Sequence, residues 1–395
     1  MDGIVNPFEP GAGTEPPELT GRRPVLEQTR VALARIKAGR FEKSVILVGL
    51  RGVGKTVLLN RIQLMAKEAG YHSEFIESPE KDRLPDLLVP ALRRILLSFD
   101  TKEQISTAGR AAWHALKAFA KGFKVKVGDI EVGMDLDHTK GTADSGMLER
   151  DLTDLIVSIG EAAKASKTAV AILIDELQYL KEAELAALIT ALHRVSQLKL
   201  PVVLFGAGLP QIAGLSGDAK SYSERLFSFI TIGALNDVDA GFAISEPILR
   251  AGESILPEAT AEIVRVTGGY PYFLQEWGYH SWNVAEQSPI TVKDVQQATI
   301  DATKRLDESF FRVRFDRLTP QEKQYLRAMA ELGPGPHRSG AISDVLGKKV
   351  SQVAPARDSL IKKGMIYSQS HGDTAFTVPL FDVFMKRVVP KLETT

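Results

Sequence analysis

A glycine-rich turn between an apolar run and an amphipathic run constrains this chain most. Residues 44–56 read SVILVGLRGVGKT, and the residues that follow continue with helical periodicity. The pattern predicts a buried strand, a loop and a helix. Residues 49–56 match the G-x4-G-K-T pattern, in which backbone N–H groups and a helix N-terminus bind phosphate. We therefore predict a nucleotide site on an α/β scaffold.

The loop pattern assigns roles to single residues. Lys55 is expected to reach the β- and γ-phosphates and to assist catalysis, and the Thr56 hydroxyl is expected to bind Mg²⁺. The other nucleotide-binding residues predicted at the loop are Gly49, Leu50, Arg51, Gly52, Val53, Gly54 and Val57. The predicted cofactors are therefore a nucleotide and Mg²⁺.

An acidic pair, Asp175 and Glu176, ends a second buried strand that begins near Ala169. An unpaired carboxylate is costly inside a protein, so acids at this place indicate chemistry. We predict that Asp175 holds Mg²⁺ through water and that Glu176 polarises the water that attacks the nucleotide. The alternative is slow or conditional turnover, in which the nucleotide state works as a switch.

The apolar strands alternate with amphipathic helices, which predicts a parallel sheet covered on both faces. A third strand is predicted at residues 201–208. The alternation breaks between residues 96 and 147, where FKVKV, Gly128-Asp129 and IEVGMDLD have the pattern of a hairpin. We interpret residues 101–147 as a hairpin insertion. It is either a structural flap over the core or a segment that contacts a partner or DNA.

The rest of the chain divides by composition and periodicity. Residues 1–20 contain four prolines and three glycines and are predicted to be an irregular arm. We expect an ATPase domain over residues 21–235 and a helical lid over 236–315. Residues 316–395 have the pattern of three short helices and a hairpin around His371-Gly372-Asp373, which predicts a winged helix-turn-helix.

Composition excludes several classes of protein. Lys and Arg number 49 and Asp and Glu number 49, so the formal net charge is zero. A protein that coats nucleic acid or an anionic membrane along its length usually has a basic excess. The chain has no cysteine, which removes disulfides and thiolate sites. The first residues lack a signal-peptide pattern, and no apolar run is long enough for a membrane span. We expect a cytoplasmic protein without a membrane partner.

Positive charge is nevertheless concentrated near the carboxyl end. Residues 337–371 contain six Lys or Arg and two Asp, a local net charge of +4 (six minus two). In a winged helix this stretch would contact the major groove and the phosphates of double-stranded DNA. The predicted contacts are Lys348, Lys349, Ser351, Gln352, Arg357, Lys362, Lys363 and His371. The alternative is a protein-docking or oligomerisation module.

Several segments together resemble a known family. They are LTGR at residues 19–22, the phosphate loop, ILIDE at 172–176, VVLFGAGLP at 202–210 and TGGYPYFLQ at 267–275. They resemble prokaryotic AAA+/STAND-type ATPases related to origin-recognition-complex ATPases. The resemblance implies an α/β P-loop NTPase fold of the AAA+ type, with a parallel sheet, a helical lid and a carboxyl-terminal winged helix-turn-helix. It also implies that the nucleotide is ATP or ADP.

The resemblance implies further site residues. Gly21 and Arg22 would border the adenine, and Tyr270 and Pro271 would belong to a lid motif that closes on the nucleotide. Arg225 would be an arginine finger that acts in trans on a neighbour's ATP in a homo-oligomer, because a planar cation stabilises developing γ-phosphate charge. The alternative for Arg225 is a surface ion pair with Glu224 or another acid.

Two departures from the family pattern favour a slow switch over a fast motor. The strand expected to end in a polar sensor ends in Phe205-Gly206-Ala207-Gly208, and the glycine-rich lid segment lacks a second-sensor arginine. The sequence thus predicts an ATPase, slow or stimulated by a partner, that couples nucleotide state to self-association and DNA binding. The alternative is a nucleotide-gated regulatory ATPase whose winged helix binds a protein.

Overall fold

The computed structural model describes residues 1–11, 13, 16, 19–99, 106–125, 142–368 and 372–392. The chain forms two compact units. We call residues 23–48 and 55–231 the sheet unit, and residues 1–22, 49–54 and 232–395 the carboxyl-terminal unit. The glycine-rich loop therefore belongs to the carboxyl-terminal unit, whereas the helix that follows it belongs to the sheet unit.

The sheet unit contains, within the described residues, a five-stranded parallel sheet in the order β2-β3-β4-β1-β5. The strands are β1 (Ser44–Val48), β2 (Tyr71–Glu77), β3 (Ala169–Asp175), β4 (Val202–Gly208) and β5 (Phe227–Thr231). The helices are α1 (Arg23–Lys37), α2 (Lys55–Glu68), α3 (Leu84–Phe99), α4 (Thr107–Gly122), α5 (Leu148–Ala165), α6 (Glu182–Gln197), α7 (Ile212–Ala219) and α8 (Ser223–Leu226).

The three predicted strands occupy the centre of this sheet. Every residue of β1, β3 and β4 is buried, as expected for strands covered by helices on both faces. Strand β4 lies between β1 and β3, and it pairs Gly208 with Val48 and Gly206 with Ile174. The carboxyl ends of β1, β3 and β4 are therefore neighbours. The predicted parallel α/β sheet is confirmed.

Strand β2 was not predicted from the sequence. It pairs along its whole length with β3 but lies at the edge of the sheet, and five of its seven residues are only partly buried or exposed, with several of them polar. Such a strand lacks the continuous apolar run by which a central parallel strand is recognised.

The predicted hairpin insertion falls mostly outside the described residues, which omit 100–105 and 126–141. Within residues 106–125 the chain forms α4, and Phe123 is the residue that caps its carboxyl end. Lys124 then has φ 54°, so the prediction of a strand beginning at Phe123 is wrong for residues 123–125. The physical reason is packing, because the Phe123 ring lies 4.7 Å from Phe119 against the core.

The carboxyl-terminal unit is helical with a small sheet. Its helices are α9 (Asp237–Arg250), α10 (Pro257–Thr267), α11 (Pro271–Val284), α12 (Val292–Arg305), α13 (Arg312–Phe315), α14 (Pro320–Leu332), α15 (Ser339–Val345), α16 (Val350–Lys362) and α17 (Phe381–Val388). Its strands are β6 (His337–Arg338), β7 (Ile366–Tyr367) and β8 (Asp373–Phe376), which form an antiparallel sheet in the order β6-β8-β7.

An aromatic cluster joins α17 to the helical segment before α13. The ring of Phe311 lies 5.6 Å from Phe381 and 5.1 Å from Phe384, and all three side chains are almost completely buried. Aromatic pairs at these separations add to the stabilisation that burial provides. The end of the predicted lid and the carboxyl-terminal segment from α14 to α17, which we call the terminal domain, therefore share one core.

The first eleven residues are more ordered than the sequence predicts. The indole N–H of Trp282 donates to the Asp2 carbonyl at 2.8 Å, and the Asn6 amide donates to the Tyr279 carbonyl at 3.0 Å. Phe8 is 1% exposed and lies over Gly278, where a Cβ would be 2.6 Å from the Phe8 ring. Residues 2–8 are therefore packed on α11.

We expect Phe8→Ala to destabilise the carboxyl-terminal unit by about 3 kcal/mol, because the truncation leaves a cavity against α11. Urea unfolding followed by tryptophan fluorescence measures the change. Ile4 is 92% exposed, so Ile4→Ala is the matched control and should unfold like the wild type. Equal unfolding midpoints for the Phe8 and Ile4 variants would contradict the packing of the arm.

Candidate functional site

The loop from Gly49 to Gly54 follows β1 and leads into α2. A Cβ at residue 49 would lie 2.2 Å from the Ile232 carbonyl oxygen, so only glycine allows this close approach. Gly52 has φ +83°, a left-handed conformation that glycine adopts without the steric cost of a side chain. The loop therefore requires glycine at residue 49 for space and favours glycine at residue 52 for its backbone conformation.

Three consecutive carbonyls of the loop accept hydrogen bonds from residues of the same unit. The Tyr270 hydroxyl donates to the Arg51 carbonyl. The Tyr272 N–H donates to the Gly52 carbonyl at 3.2 Å. The Arg22 guanidinium donates to the Val53 carbonyl at 3.3 Å. Lid and amino-terminal residues therefore satisfy the loop carbonyls. This arrangement suits a loop whose backbone N–H groups bind an anion.

The predicted neighbours of the nucleotide base lie beside this loop. Arg22 also donates to the Gly233 carbonyl at 2.5 Å, and burial lowers the pKa of its guanidinium while Asp239 opposes that effect. At Gly21, φ is +71° and a Cβ would be 2.9 Å from Asp239. Pro271 is the first residue of α11 and directly follows Tyr270, whose hydroxyl donates to the Arg51 carbonyl. The sequence predictions for residues 21, 22, 270 and 271 thus converge on one region.

A cavity of about 480 Å³ lies in the carboxyl-terminal unit beside the loop. Its lining residues are Leu50, Val53, Ile232, Gly233, Ala234, Arg265, Val266, Thr267, Gly268, Tyr270, Pro379 and Leu380. The lining is largely apolar with a few polar groups, which is the usual character of a pocket for a small organic ligand. Pro379 and Leu380 come from the terminal domain, which the sequence did not associate with the nucleotide.

The sheet unit holds the charged part of the predicted site. Lys55 and Thr56 begin α2, and Asp175 ends β3. The Thr56 hydroxyl donates to Asp175 Oδ2 at 2.5 Å. Asp175 is 3% exposed, and burial raises the pKa of its carboxyl while the Thr56 hydrogen bond lowers it. Val57, also predicted to bind nucleotide, is buried in the first turn of α2.

Thr56 and Asp175 fit a magnesium ion. Hydroxyl and carboxylate oxygens are ligands that Mg²⁺ prefers, and these two are already adjacent. Nucleotide phosphates and water would complete such a shell. In the part of the chain that the structure describes, no group of three or more His, Asp or Glu side chains could hold a metal ion.

Glu176 has an unusual backbone conformation. Its φ and ψ are 56° and 40°, in the left-handed region, which costs a non-glycine residue on the order of 1 kcal/mol. Its N–H donates to Asp175 Oδ1 at 2.8 Å. The Gln178 amide donates to Glu176 Oε2. Strained residues of this kind cluster at functional sites.

Arg225 lies on α8, one residue before Leu226 and the start of β5. Its side chain is exposed. The alternative, an ion pair with Glu224 or another acid, is not among the ion pairs formed within the described residues. An arginine finger remains the sequence prediction for this residue.

The predicted DNA contacts fall into two groups on the terminal domain. Lys348, Lys349, Ser351 and Lys362 are exposed in or next to α16. Gln352 is exposed as well, and its side chain accepts a hydrogen bond from the Lys349 N–H at 2.8 Å. His371 lies outside the described residues.

Two of the predicted DNA contacts are engaged within the terminal domain. Lys363 donates to Glu322 Oε2 at 2.7 Å, and Glu322 is 2% exposed. Arg357 contacts Ser368 Oγ at 3.3 Å and Asp358 at 3.5 Å. Net charge in the sequence cannot reveal that these cations bind partners within the terminal domain.

No described helix is long and apolar enough to cross a lipid bilayer.

We expect Asp175→Asn to raise the melting temperature of the nucleotide-free protein at neutral pH. The raised pKa means that the native state binds the Asp175 proton more tightly than the unfolded chain does. The stability this group contributes is therefore present at low pH and is lost as pH rises through the folded pKa. The neutral amide avoids that loss.

Thermal melts between about pH 4 and pH 8 measure the effect. The difference between Asp175→Asn and the wild type should be largest at neutral pH and should shrink on acidification. Asp82 is exposed, and Asp82→Asn serves as the control, with no such trend. A constant or reversed difference for Asp175→Asn would contradict the cost of burying its charge.

Comparisons with known proteins agree with this geometry. Residues 18–205 match the family described as "AAA ATPase domain", and residues 308–385 match a domain of unknown function, DUF8462. No curated protein matches the sequence. Among solved structures, the Walker-type ATPase PABY2304 of Pyrococcus abyssi is similar with a TM-score of 0.56 and 16% identity, over 93% of this chain and 96% of that one.

Two other similar structures have lower scores. Cdc6p from Pyrobaculum aerophilum has a TM-score of 0.48 and 15% identity over 99% of this chain and 98% of that one. The Orc1 protein of Aeropyrum pernix in complex with DNA has 0.47 and 14%, over 98% and 96%. The match of residues 18–205 and the similarity to the Pyrococcus ATPase agree with the sheet order and the phosphate loop. The chain therefore has the fold of the AAA+ P-loop ATPases.

Proposed function

We propose that this protein is a slow ATPase switch in which the nucleotide state controls how the terminal domain sits on the phosphate-binding loop. The observation that carries the proposal is the Arg51 N–H, which donates to the Thr377 carbonyl at 3.1 Å. Pro379 and Leu380, only two and three residues further on, line the cavity beside the loop. A change at the loop thus acts directly on the terminal domain.

The Thr377 carbonyl is rigidly presented to the loop. Thr377 is 1% exposed, its N–H donates to the Met365 carbonyl at 3.1 Å, and its hydroxyl donates to the Gly364 carbonyl at 2.7 Å. Leu380 has φ 62° and precedes α17. The contact with Arg51 therefore requires a particular arrangement of the terminal domain. We propose that phosphate binding reorders the loop N–H groups and loosens this contact.

The predicted residues divide the chemistry among them. Lys55 would bind the β- and γ-phosphates, and Thr56 and Asp175 would hold Mg²⁺, which neutralises phosphate charge when it is bound. Glu176 would orient and deprotonate the attacking water. The apolar cavity would take the adenine, with Gly21 and Arg22 at its border. Arg225, exposed on α8, would act on the ATP of a neighbouring copy in an oligomer.

We expect Lys55→Ala to abolish ATP binding in a calorimetric titration, because the variant removes the main phosphate cation. Glu176→Gln should bind ATP with unchanged affinity and hydrolyse it at least ~100-fold more slowly, since the amide cannot accept the proton. Glu182 is exposed at the start of α6, so Glu182→Gln is the matched control. Arg225→Ala should bind ATP and lose any dependence of turnover on protein concentration.

Retained ATP affinity in Lys55→Ala would overturn the assignment of the phosphate loop. Wild-type turnover in Glu176→Gln would overturn the assignment of the base. Concentration-dependent turnover that survives Arg225→Ala would remove the arginine finger from the proposal.

We further propose that the terminal domain is a winged helix that binds double-stranded DNA. The order of α14, β6, α15, α16, β7 and β8 supports this proposal. Exposed Lys348, Lys349 and Lys362 supply positive charge around α16. The second candidate is a protein partner, which is favoured by the exposed Pro355 and the 47% exposed Val350 on the same helix.

We expect the pair Lys348→Ala and Lys349→Ala to weaken DNA binding across all sequences and to reduce the log–log salt slope by about two, because each lysine would contact one phosphate. Lys363→Ala should instead destabilise the terminal domain, since it leaves the buried Glu322 without its cation. Lys304 is exposed on α12, and Lys304→Ala is the control.

Mobility shifts at low and moderate salt, with and without ATP, measure these effects. Binding should depend on Lys348 and Lys349, and ATP should change it. No binding at low salt would reject DNA and leave the protein partner. Binding with no salt dependence would contradict phosphate contacts.

A further inference from the structure

The short turn after β3 carries a side chain that links Glu176 to the end of β4. Residues 177–179 form one turn of 3₁₀ helix. The Gln178 amide Nε2 donates to Glu176 Oε2, and the Gln178 Oε1 accepts from the Leu209 N–H at 2.9 Å. Leu209 directly follows β4. The two ends of one amide thus reach two neighbouring strand ends.

The chemistry of the two partners fixes the orientation of this amide. A carboxylate only accepts, so it faces the NH₂ group, and a backbone N–H only donates, so it faces the amide oxygen. Turning the amide over would place oxygen against oxygen and N–H against N–H. Neither a carboxylate nor an apolar side chain at residue 178 can make both contacts.

Strand β4 leaves room for the turn because two of its last residues have no side chain. A Cβ at Gly206 would lie 2.4 Å from Leu177 Cδ1, and a Cβ at Gly208 would lie 3.0 Å from Gln178 Oε1. The ending Phe205-Gly206-Ala207-Gly208 is therefore complementary to Leu177 and Gln178. The two glycines thus leave the space that the side chains of Leu177 and Gln178 fill.

The backbone of Glu176 makes such a support useful. The residue is held in the left-handed region, and its own carboxylate extends on a side chain with several rotatable bonds. Loss of alignment by about 1 Å at a reacting group can cost on the order of 100-fold in rate. A hydrogen bond from a fixed amide restricts the carboxylate to one direction.

We propose that Gln178 is the positioning residue for Glu176, holding the carboxylate in its working orientation by tying it to the Leu209 N–H. The inference rests on the proposed role of Glu176 as the base in ATP hydrolysis. Gln178 acts through Glu176 and touches neither nucleotide nor water in the proposed step. Its effect should therefore fall on turnover and not on ATP binding.

Two substitutions separate positioning from a merely structural brace. Gln178→Leu removes both hydrogen bonds at similar size. Gln178→Glu keeps an oxygen for the Leu209 N–H but turns a second carboxylate oxygen toward Glu176, so the brace to β4 survives while Glu176 is repelled. Each substitution is also made in the Glu176→Gln background. Gln197, exposed at the end of α6, provides the control Gln197→Leu.

Steady-state ATP hydrolysis gives kcat and KM, and calorimetry gives the affinity for ATP. We expect kcat to fall at least about tenfold in both Gln178 variants, with ATP affinity within about twofold of the wild type. In the Glu176→Gln background the same substitutions should change the residual rate by less than about twofold, because the side chain they position is already inactive. Gln197→Leu should behave as the wild type.

Several results would overturn the proposal. A wild-type kcat in Gln178→Leu would show that neither hydrogen bond of Gln178 matters for turnover. A reduced kcat in Gln178→Leu together with a wild-type kcat in Gln178→Glu would show that only the brace to the Leu209 N–H matters. Equal falls in kcat in the wild-type background and in the Glu176→Gln background would show a general structural defect. An absence of ATP turnover in the wild type would overturn the proposed function and this inference together, and that result is distinct from an active wild type whose Gln178 variants are unchanged.

Discussion

Three successive carbonyls of the phosphate loop accept hydrogen bonds that hold the loop in place, and the rest of the predicted site depends on these contacts. Tyr270, Tyr272 and Arg22 bind the carbonyls of Arg51, Gly52 and Val53 in turn. A short loop with three glycines has little structure of its own, so these contacts hold it in its conformation. Because lid and amino-terminal residues make these contacts, the loop belongs to the carboxyl-terminal unit, where the Arg51 N–H also donates to the Thr377 carbonyl.

The sheet unit contains the predicted residues Lys55, Thr56, Asp175 and Glu176. Lys55, Thr56 and Asp175 come from the ends of a helix and a strand, which hold their backbones firmly. Asp175 carries a burial cost that raises its pKa, and Thr56 offsets part of it. The strained Glu176 and its Gln178 contact extend the same arrangement to the end of β4. The buried charge of Asp175 and the left-handed backbone of Glu176 both lower the stability of the folded protein, at residues that would perform the reaction.

Much of this could be predicted from the sequence because its signals are local. The loop pattern, the buried runs of β1, β3 and β4, and the Asp175-Glu176 pair each lie within a dozen residues. The features that escaped prediction depend on distant partners. Phe8 needs Gly278, Thr377 needs Arg51, and Lys363 needs Glu322. Edge strand β2 was missed because its half-exposed residues lack an apolar run.

In the proposed switch, ATP changes how the terminal domain is held on the loop. The chain has no cysteine, so cysteines introduced at exposed Glu258 and Asp344 can be spin-labelled without background. Pulsed electron resonance then measures the distance between α10 and α15 without nucleotide, with ADP and with ATP and Mg²⁺ in a Glu176→Gln protein. We expect a shifted or broadened distance distribution with ATP. Identical distributions in all three states would contradict it.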